Sequence, residues 1–337
     1  MAVSRLVINQ SDGKVISSPI YAFNPNSGHW NLPIIKGKIP EWRRDIQDVA
    51  DKFGNIYIFG GYSIITANFL NDIIILNIND LIWSYGPIDN ADLKRDSYTA
   101  TLLTNGMIVY IGGREINSEV DINKINLYDT RLSFWSLVQA KSNGQIESRY
   151  GHSAILVSDE KIIIYGGKKG ESSKSIKVIP DLVILNIQTT PFEWIIPQIS
   201  TNIGKVPSLS SHSANLVENY MIIAFGQLTF PNGLEERISS KNIYLLDTKN
   251  YSWVDKFDPI TSNTTSPSPS PTTTNTTLSD TAKTNNVQLN TIIGTISGIL
   301  CTAILMTIGI FGYKWYQKRK QSEIMRIFGD GLRTQFL

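Results

Sequence analysis

One cysteine, Cys301, is all that the 337 residues contain. That excludes an intramolecular disulfide framework and any zinc site built on paired cysteines. Histidine is scarce too, at His29, His152 and His212, so a histidine-rich metal centre is not expected. Charged residues make up 18% of the chain, below the roughly one quarter usual in soluble domains. The formal charge is +2, and no global field is expected to hold nucleic acid. No Gly-rich phosphate loop, nucleophile elbow or HExxH run occurs. No cofactor is expected.

Composition divides the chain into four parts. Residues 1–257 hold every tryptophan except Trp315 and are rich in Ile, Val, Tyr and Gly. Residues 258–290 are dominated by Ser, Thr, Pro and Asn at their start, DPITSNTTSPSPSPTTTNTTLSD, and offer little to bury. Such a segment cannot offset its ordering entropy and reads as a linker. Residues 291–313, TIIGTISGILCTAILMTIGIFGY, carry no charge. At about 1.5 Å per residue a helix of this length spans a hydrocarbon core of about 30 Å. Residues 314–337 form a basic tail, with six Lys and Arg against Glu323 and Asp330, a net of +4.

Positive flanks stay in the cytoplasm, so the tail is expected inside and the first 290 residues outside or luminal. The sequons at Asn263 and Asn275 fall in the linker and point the same way. The start, MAVSRLVINQSDGKVIS, has no apolar signal-peptide core. Two expectations follow: a start lying upstream of this sequence, which the charge bias favours, or a tail-anchored protein with its bulk in the cytosol.

Residues 1–257 repeat. Strand-like runs end in glycines at Ile56–Gly61, Ile108–Gly113 and Ile162–Gly167, and a fourth, Met221–Gln227, reads as having lost its second glycine to Gln227. These glycines, Gly60, Gly61, Gly112, Gly113, Gly166, Gly167 and Gly226, are expected to be structural. Each run is followed by a second run and a tryptophan: Trp83, Trp135, Trp194 and Trp253. Each is preceded by a shorter run, at 43–50, 95–103, 149–157 and 210–217. The runs are short, β-branched or aromatic, and bounded by turn residues, which is strand chemistry. Asn105-Gly106 signals a two-residue hairpin between the first two strands of the second unit. Four strands per unit, repeated, predict an all-β chain folded as a β-propeller.

Arg149-Tyr150-Gly151-His152-Ser153-Ala154, the glycine pairs, and Tyr128-Asp129-Thr130 leading to Trp135 resemble the kelch family, over roughly residues 18–255. The resemblance implies that the tryptophans pack between blades. The units are slightly longer than kelch repeats of about 50 residues. Ser17–Trp30 reads as the last two strands of an earlier blade. Four full blades plus a partial one predict an open arc or a small ring.

The resemblance raises copper oxidases of the galactose-oxidase kind, but these need a tyrosine–cysteine crosslink, and Cys301 lies in the membrane segment. His152 and His212 share one repeat position and are expected to bond a neighbouring loop. No catalytic or metal-binding residue is expected. The loops after the glycines are long, at 62–71, 114–123, 168–180 and 228–240, and long loops on a rigid scaffold favour recognition. Tyr62, Phe69, Arg114, Lys168 and Phe230 are the candidate partner-binding residues. The expectation is a non-catalytic, single-pass membrane protein whose propeller binds another protein or a glycan, and not nucleic acid. The alternatives are a C-terminally anchored cytosolic adaptor and, behind it, a degenerate propeller oxidase.

Overall fold

The computed structural model describes residues 20–87, 94–157, 160–171 and 173–258. They belong to one compact unit, Met1–Asn263. The predicted linker from 259 on, Asn263 and Asn275, the predicted span 291–313 and the basic tail lie outside the described residues. Among the described residues every regular element is a strand, and no helix is long and apolar enough to cross a membrane.

Four antiparallel sheets follow one another. Blade I is built from Asp48–Ala50, Asn55–Phe59, Ile73–Asn77 and Ile82–Tyr85. Blade II comprises Thr99–Leu102, Met107–Ile111, Lys124–Asp129 and Phe134–Gln139. In blade III the strands are Ser153–Val157, Lys161–Tyr165, Leu182–Asn186 and Glu193–Ile195. Blade IV has Ser213–Val217, Tyr220–Ala224, Ile243–Asp247 and Ser252–Val254. In each, the strands pair in chain order, as expected for an up-and-down blade. A separate hairpin, Ala22–Asn24 with His29–Asn31, pairs Phe23 with Trp30. It matches the third and outer strands of a blade, as the sequence suggested.

The inner strands pack side by side from blade I to blade IV, and among the described residues no strand pairing closes the ring. The chain leaving one blade runs parallel along the outer strand of the next. Lys141–Ser142 pairs with Glu193–Trp194, and Ser200–Thr201 with Ser252–Trp253.

The Asn or Asp ending each third strand has a common task. Asn24, Asn77, Asp129, Asn186 and Asp247 each accept a backbone N–H two residues on through their side-chain oxygen. This is the Asx turn that starts the reversal toward the tryptophan strand. The threonine of Asp-Thr ties that turn to the next one: Thr130 and Thr248 donate to the carbonyls of Gly106 and Asn219, each at 2.8 Å. The hairpin at Asn105-Gly106 is one residue longer than expected. Gly106 N–H donates to Leu103 O, Leu103 N–H donates to Met107 O, and Gly106 sits at φ +86°. That is a type I turn followed by a left-handed residue.

The core lies between blades. Trp135 of blade II packs with Tyr57, Phe59 and Ile73 of blade I. Trp194 packs with Val109, Ile125 and Leu127 of blade II. Trp253 meets Ile163, Tyr165 and Leu182 of blade III, and Trp83 lies with Ile20, just ahead of the hairpin. Each tryptophan therefore seals its blade against the preceding one, as the kelch resemblance implied.

Glycine allows the blades to approach. Gly61, Gly113 and Gly167 donate their N–H to the carbonyls of Arg95, Arg149 and Leu209 in the next blade. A Cβ on Gly166 would stand 2.1 Å from Leu209 O. One part of the sequence reading is corrected here. The fourth unit has kept its second glycine, Gly226 (φ +87°), and lost the first to Phe225, which holds φ +63° where Gly60, Gly112 and Gly166 hold +56°, +58° and +65°. No blade follows blade IV among the described residues, so no neighbouring carbonyl excludes a side chain at Phe225.

Candidate functional site

The runs ahead of the inner strands were expected to be continuous strand. They break instead at Asp45, Ser97, Gly151 and Ser211, at φ +57°, +54°, +64° and +54°. The four breaks are stitched to one another: Ser97 N–H donates to Asp45 O (2.7 Å), Gly151 N–H to Ser97 O (2.8 Å), and Ser211 N–H to Gly151 O (2.7 Å). Before each break the chain turns aside and pairs with the segment that follows the glycines. Arg43–Arg44 pairs with Tyr62–Ser63, and Leu209–Ser210 with Gln227–Leu228. Asp96 bridges Arg114, and Tyr150 bridges Lys168. The predicted loops 62–71 and 168–180 thus carry small strands of their own.

Beneath this rim lie three buried arginines in equivalent positions. Arg43, Arg95 and Arg149 donate to the carbonyls of Gly60, Gly112 and Gly166 at 2.8, 3.3 and 3.2 Å. Arg43 also holds Asp72 through two bonds of 2.6 and 2.9 Å. Arg95 has Asn126 at 2.5 Å instead of a carboxylate, and burial pulls its guanidinium down to about 10. In blade IV Leu209 takes the arginine's place, beside the blade that lacks the first glycine. The arginine and the glycine whose carbonyl it caps are replaced together.

The two histidines are inter-blade clasps. His152 Nε2 lies 3.0 Å from Thr99 Oγ1 of blade II, and His212 Nε2 lies 2.7 Å from Ser153 Oγ of blade III. Their partners are inner-strand hydroxyls of the preceding blade, where the sequence suggested a loop. Burial, with Arg149 and His212 nearby, pulls His152 down to about 3. Burial takes His212 to about 4. Both rings are neutral at physiological pH.

Above the arginines, aromatic and cationic side chains interleave. The Arg44 guanidinium lies 4.8 Å from the Tyr62 ring, and Tyr62 meets Phe69 edge-on at 5.4 Å. Arg114 stands 5.5 Å from Phe69 and 5.4 Å from Tyr150, and Lys168 stands 5.5 Å from Tyr150. These distances are in cation–π range. Arg44, Arg114, Tyr150, Lys168, Gln227 and Arg237 surround a cavity of about 330 Å³. Each blade sends it one cation. Two of them are held by carboxylates: Asp45 bonds Arg44 at 2.6 Å, and Asp96 bonds Arg114 at 2.8 Å. Burial, then the charges of Arg237 and Arg114, push the Lys168 ammonium down. The cations crowd one another, and an anion placed among them would relieve it.

Of the five candidate residues, Tyr62, Phe69, Arg114 and Lys168 come together here. Phe69 and Lys168 are buried; Lys168 lines the cavity, whereas Tyr62 and Phe69 stand against the guanidinium groups of Arg44 and Arg114 that line it. Phe230 does not join them. Its N–H and carbonyl pair with Ser175 and Lys177, both at 2.9 Å, on the outer part of the loop. The other lysines of the third loop face carboxylates: Lys169 pairs with Glu147 and Lys177 with Asp181, each at 2.5 Å, and Lys174 lies 4.0 Å from Glu171. Arg44 and Tyr150 were missed because they lie in runs read as strand; their shared place in the repeat, one residue before each break, was the available signal. Among the described residues no group of three His, Cys, Asp or Glu could hold a metal ion.

Comparison with known proteins agrees with this architecture. Kelch domain-containing protein 3 of Rattus norvegicus is 31% identical over 166 residues, covering 47% of this chain and 42% of that protein. Kelch domain-containing protein 10 of Rattus norvegicus is 27% identical over 191 residues, covering 54% of this chain and 43% of that protein. The Homo sapiens Kelch domain-containing protein 3 matches at 31% over 166 residues. The matched part is thus less than half the length of each of these relatives. The model of the Attractin/LZTR1 beta-propeller family matches residues 9–302. This chain belongs to that kelch-type propeller family.

Proposed function

We propose that this chain is a non-catalytic, protein-binding propeller whose cup, between Arg44, Arg114, Lys168 and Arg237, holds an acidic segment of a partner protein. The observation that carries the reading is the convergence of one cation from each of four blades on one cavity. The aromatic wall from Tyr150, with Tyr62 and Phe69 backing Arg44 and Arg114, favours side-chain and backbone contact with a peptide over simple ion binding. The kelch-type relatives are consistent with protein binding.

Residues 291–313 are assigned as a single membrane anchor, with the propeller outside or luminal. This part rests on the uncharged run and the +4 tail of the sequence. Fluorescence polarisation with an Asp/Glu-rich peptide and its Lys-rich counterpart tests the cup. Only the acidic peptide should bind, its affinity falling as salt rises, and Arg237→Ala should weaken it about tenfold. Equal binding of both peptides would refute the reading. Glycosidase treatment of the chain and of Asn263→Gln/Asn275→Gln tests the orientation: a mobility shift present only in the unsubstituted chain supports it, and no shift favours the cytosolic adaptor.

A further inference from the structure

Blade IV carries, at one turn, a triplet that the other three blades lack. Asn250-Tyr251-Ser252 is an N-x-Ser/Thr sequence, beside those that start at Asn9, Asn263 and Asn275. It is the one of the four that lies among the described residues. Such a triplet accepts a glycan where it stands at a surface turn of a chain that enters the secretory route.

The turn joins the third strand of blade IV, Ile243–Asp247, to its tryptophan strand, Ser252–Val254. Asp247 opens it by accepting the Lys249 N–H at 2.9 Å, and Thr248 ties it to Asn219 O at 2.8 Å. Tyr251, at φ +56°, packs on the core shared by blades III and IV, while Asn250 is left exposed. The Asn250 Oδ1 accepts the Ser252 N–H at 3.0 Å, and its Nδ2 donates no hydrogen bond among the described residues. The same place in other blades is open but holds no acceptor. Asp80, three residues before Trp83, is exposed, and Leu132, three before Trp135, is 74% exposed. The tie to Asn219 sets the turn beside the hairpin between the first two strands. The cup's residues follow the second strands, on the opposite face, so a bulky group at Asn250 leaves the cup open.

We propose that Asn250 is a site of N-linked glycosylation, which rests on the outward orientation proposed for the propeller. The donor is an oligosaccharide carried on a polyprenyl diphosphate. The Asn250 Nδ2 forms a bond to C1 of the first sugar, the C1–O bond to the diphosphate breaks, and the diphosphate leaves with the electron pair. Nδ2 gives up one proton to solvent. In the finished blade the Ser252 hydroxyl bonds that of Ser200, and the Tyr251 carbonyl accepts the Ser200 N–H. Transfer therefore precedes the seating of residues 200–201 on the outer strand.

Mass spectrometry of the full chain, expressed in eukaryotic cells, tests the site. An amidase that removes N-glycans leaves aspartate where a glycan stood, marked when the reaction runs in heavy-oxygen water. Trypsin then cuts after Lys249 and Lys256 and frees a peptide in which Asn250 is the one asparagine. Marked aspartate should appear at position 250, persist in Ser252→Thr and be lost in Ser252→Ala. On gels, Asn263→Gln/Asn275→Gln should keep a residual glycosidase shift that adding Asn250→Gln removes. Marking in the linker with an unmodified 250–256 peptide would overturn the proposal and leave the orientation standing. Marking at 250 that survives Ser252→Ala would overturn it as well, because deamidation needs no hydroxyl. No marking at 250, 263 or 275 would overturn the site and the orientation together.

Discussion

Acidification should unfasten the inner strands through His152. This ring is 6% exposed and held to Thr99 of the preceding blade. Burial, aided by the positive charge of Arg149, lowers its affinity for a proton to about 3 from the ordinary 6.5. The unfolded chain therefore takes up a proton on this side chain as pH falls through about 6.5, and the folded chain does not. Stability is lost as pH falls, starting near 6.5 and continuing toward the folded value. Each pH unit in that window costs about 1.4 kcal/mol per histidine. Between pH 6.5 and pH 4.5 His152 alone accounts for about 2 kcal/mol, because the unfolded ring is only half protonated at the start of that window. His212, lowered to about 4, acts in the same direction. Carboxylates complicate the raw curve: Asp51 and Glu147, with lowered values, also lose stability in acid, while Asp48 and Asp96, raised by burial, do the opposite. The informative quantity is the difference between the chain and His152→Gln, which both carry those carboxylates. Glutamine can still reach the Thr99 hydroxyl and does not titrate. Urea unfolding at several pH values should show the gap between the two narrowing, then reversing in favour of glutamine, by about 2 kcal/mol in total over the two units. A gap independent of pH would mean that His152 protonates in the folded blade, and the buried clasp would be wrong.

Other perturbations separate structural from surface roles. Trp135→Ala removes the ring shared by blades I and II and should cost about 3–5 kcal/mol in chemical denaturation. Asp72→Ala leaves the guanidinium of Arg43 buried without its carboxylate and should cost about 3–5 kcal/mol, whereas Arg95→Met, which removes a charge that has no carboxylate beside it, should change stability by less than about 1 kcal/mol or increase it. Gly112→Ala sets a Cβ 2.6 Å from Arg149 O at φ +58°, so its melting temperature should fall well below that of Gly28→Ala, where no atom lies within 4 Å of the added Cβ.

The sequence disclosed the architecture because each repeated residue type answers a local demand. Asn and Asp cap the same turn in every unit, tryptophan closes the same side of every blade, and glycine stands wherever a neighbouring carbonyl leaves no room for Cβ. The partial blade was visible for the same reason, since Asn24 and Trp30 keep their places. The cup was only half legible. Tyr62, Phe69, Arg114 and Lys168 follow the glycines and could be counted from them, and Arg237 lies on the predicted recognition loop 228–240, whereas Arg44 and Tyr150 reach the cavity through the breaks at 45 and 151. Periodicity carries no information about a single left-handed residue in an otherwise β-type run. Phe230 failed for a related reason: an aromatic in a loop satisfies a recognition pattern equally well when its backbone is pairing with Ser175 and Lys177.

The misread glycine in the fourth unit bears on function as well as fold. With Gln227 taken as a lost glycine, the unit looks merely degraded. With Phe225 in the first glycine's place, two changes become one. Among the described residues no next-blade carbonyl stands against that side chain, and Leu209 replaces the arginine that elsewhere caps the first glycine's carbonyl. Substitutions that a following blade would forbid are thus gathered at blade IV, the last blade among the described residues. Gln227 in turn occupies the position held by Tyr62, Arg114 and Lys168, on the wall of the cup. Blade IV supplies its cation from farther along its loop, at Arg237. The cup is therefore asymmetric by construction, with fixed, cation–π-held charges on blades II and III and an exposed arginine on blade IV. An acidic segment that enters it should be gripped by Arg114 and Lys168 and released by changes at Arg237.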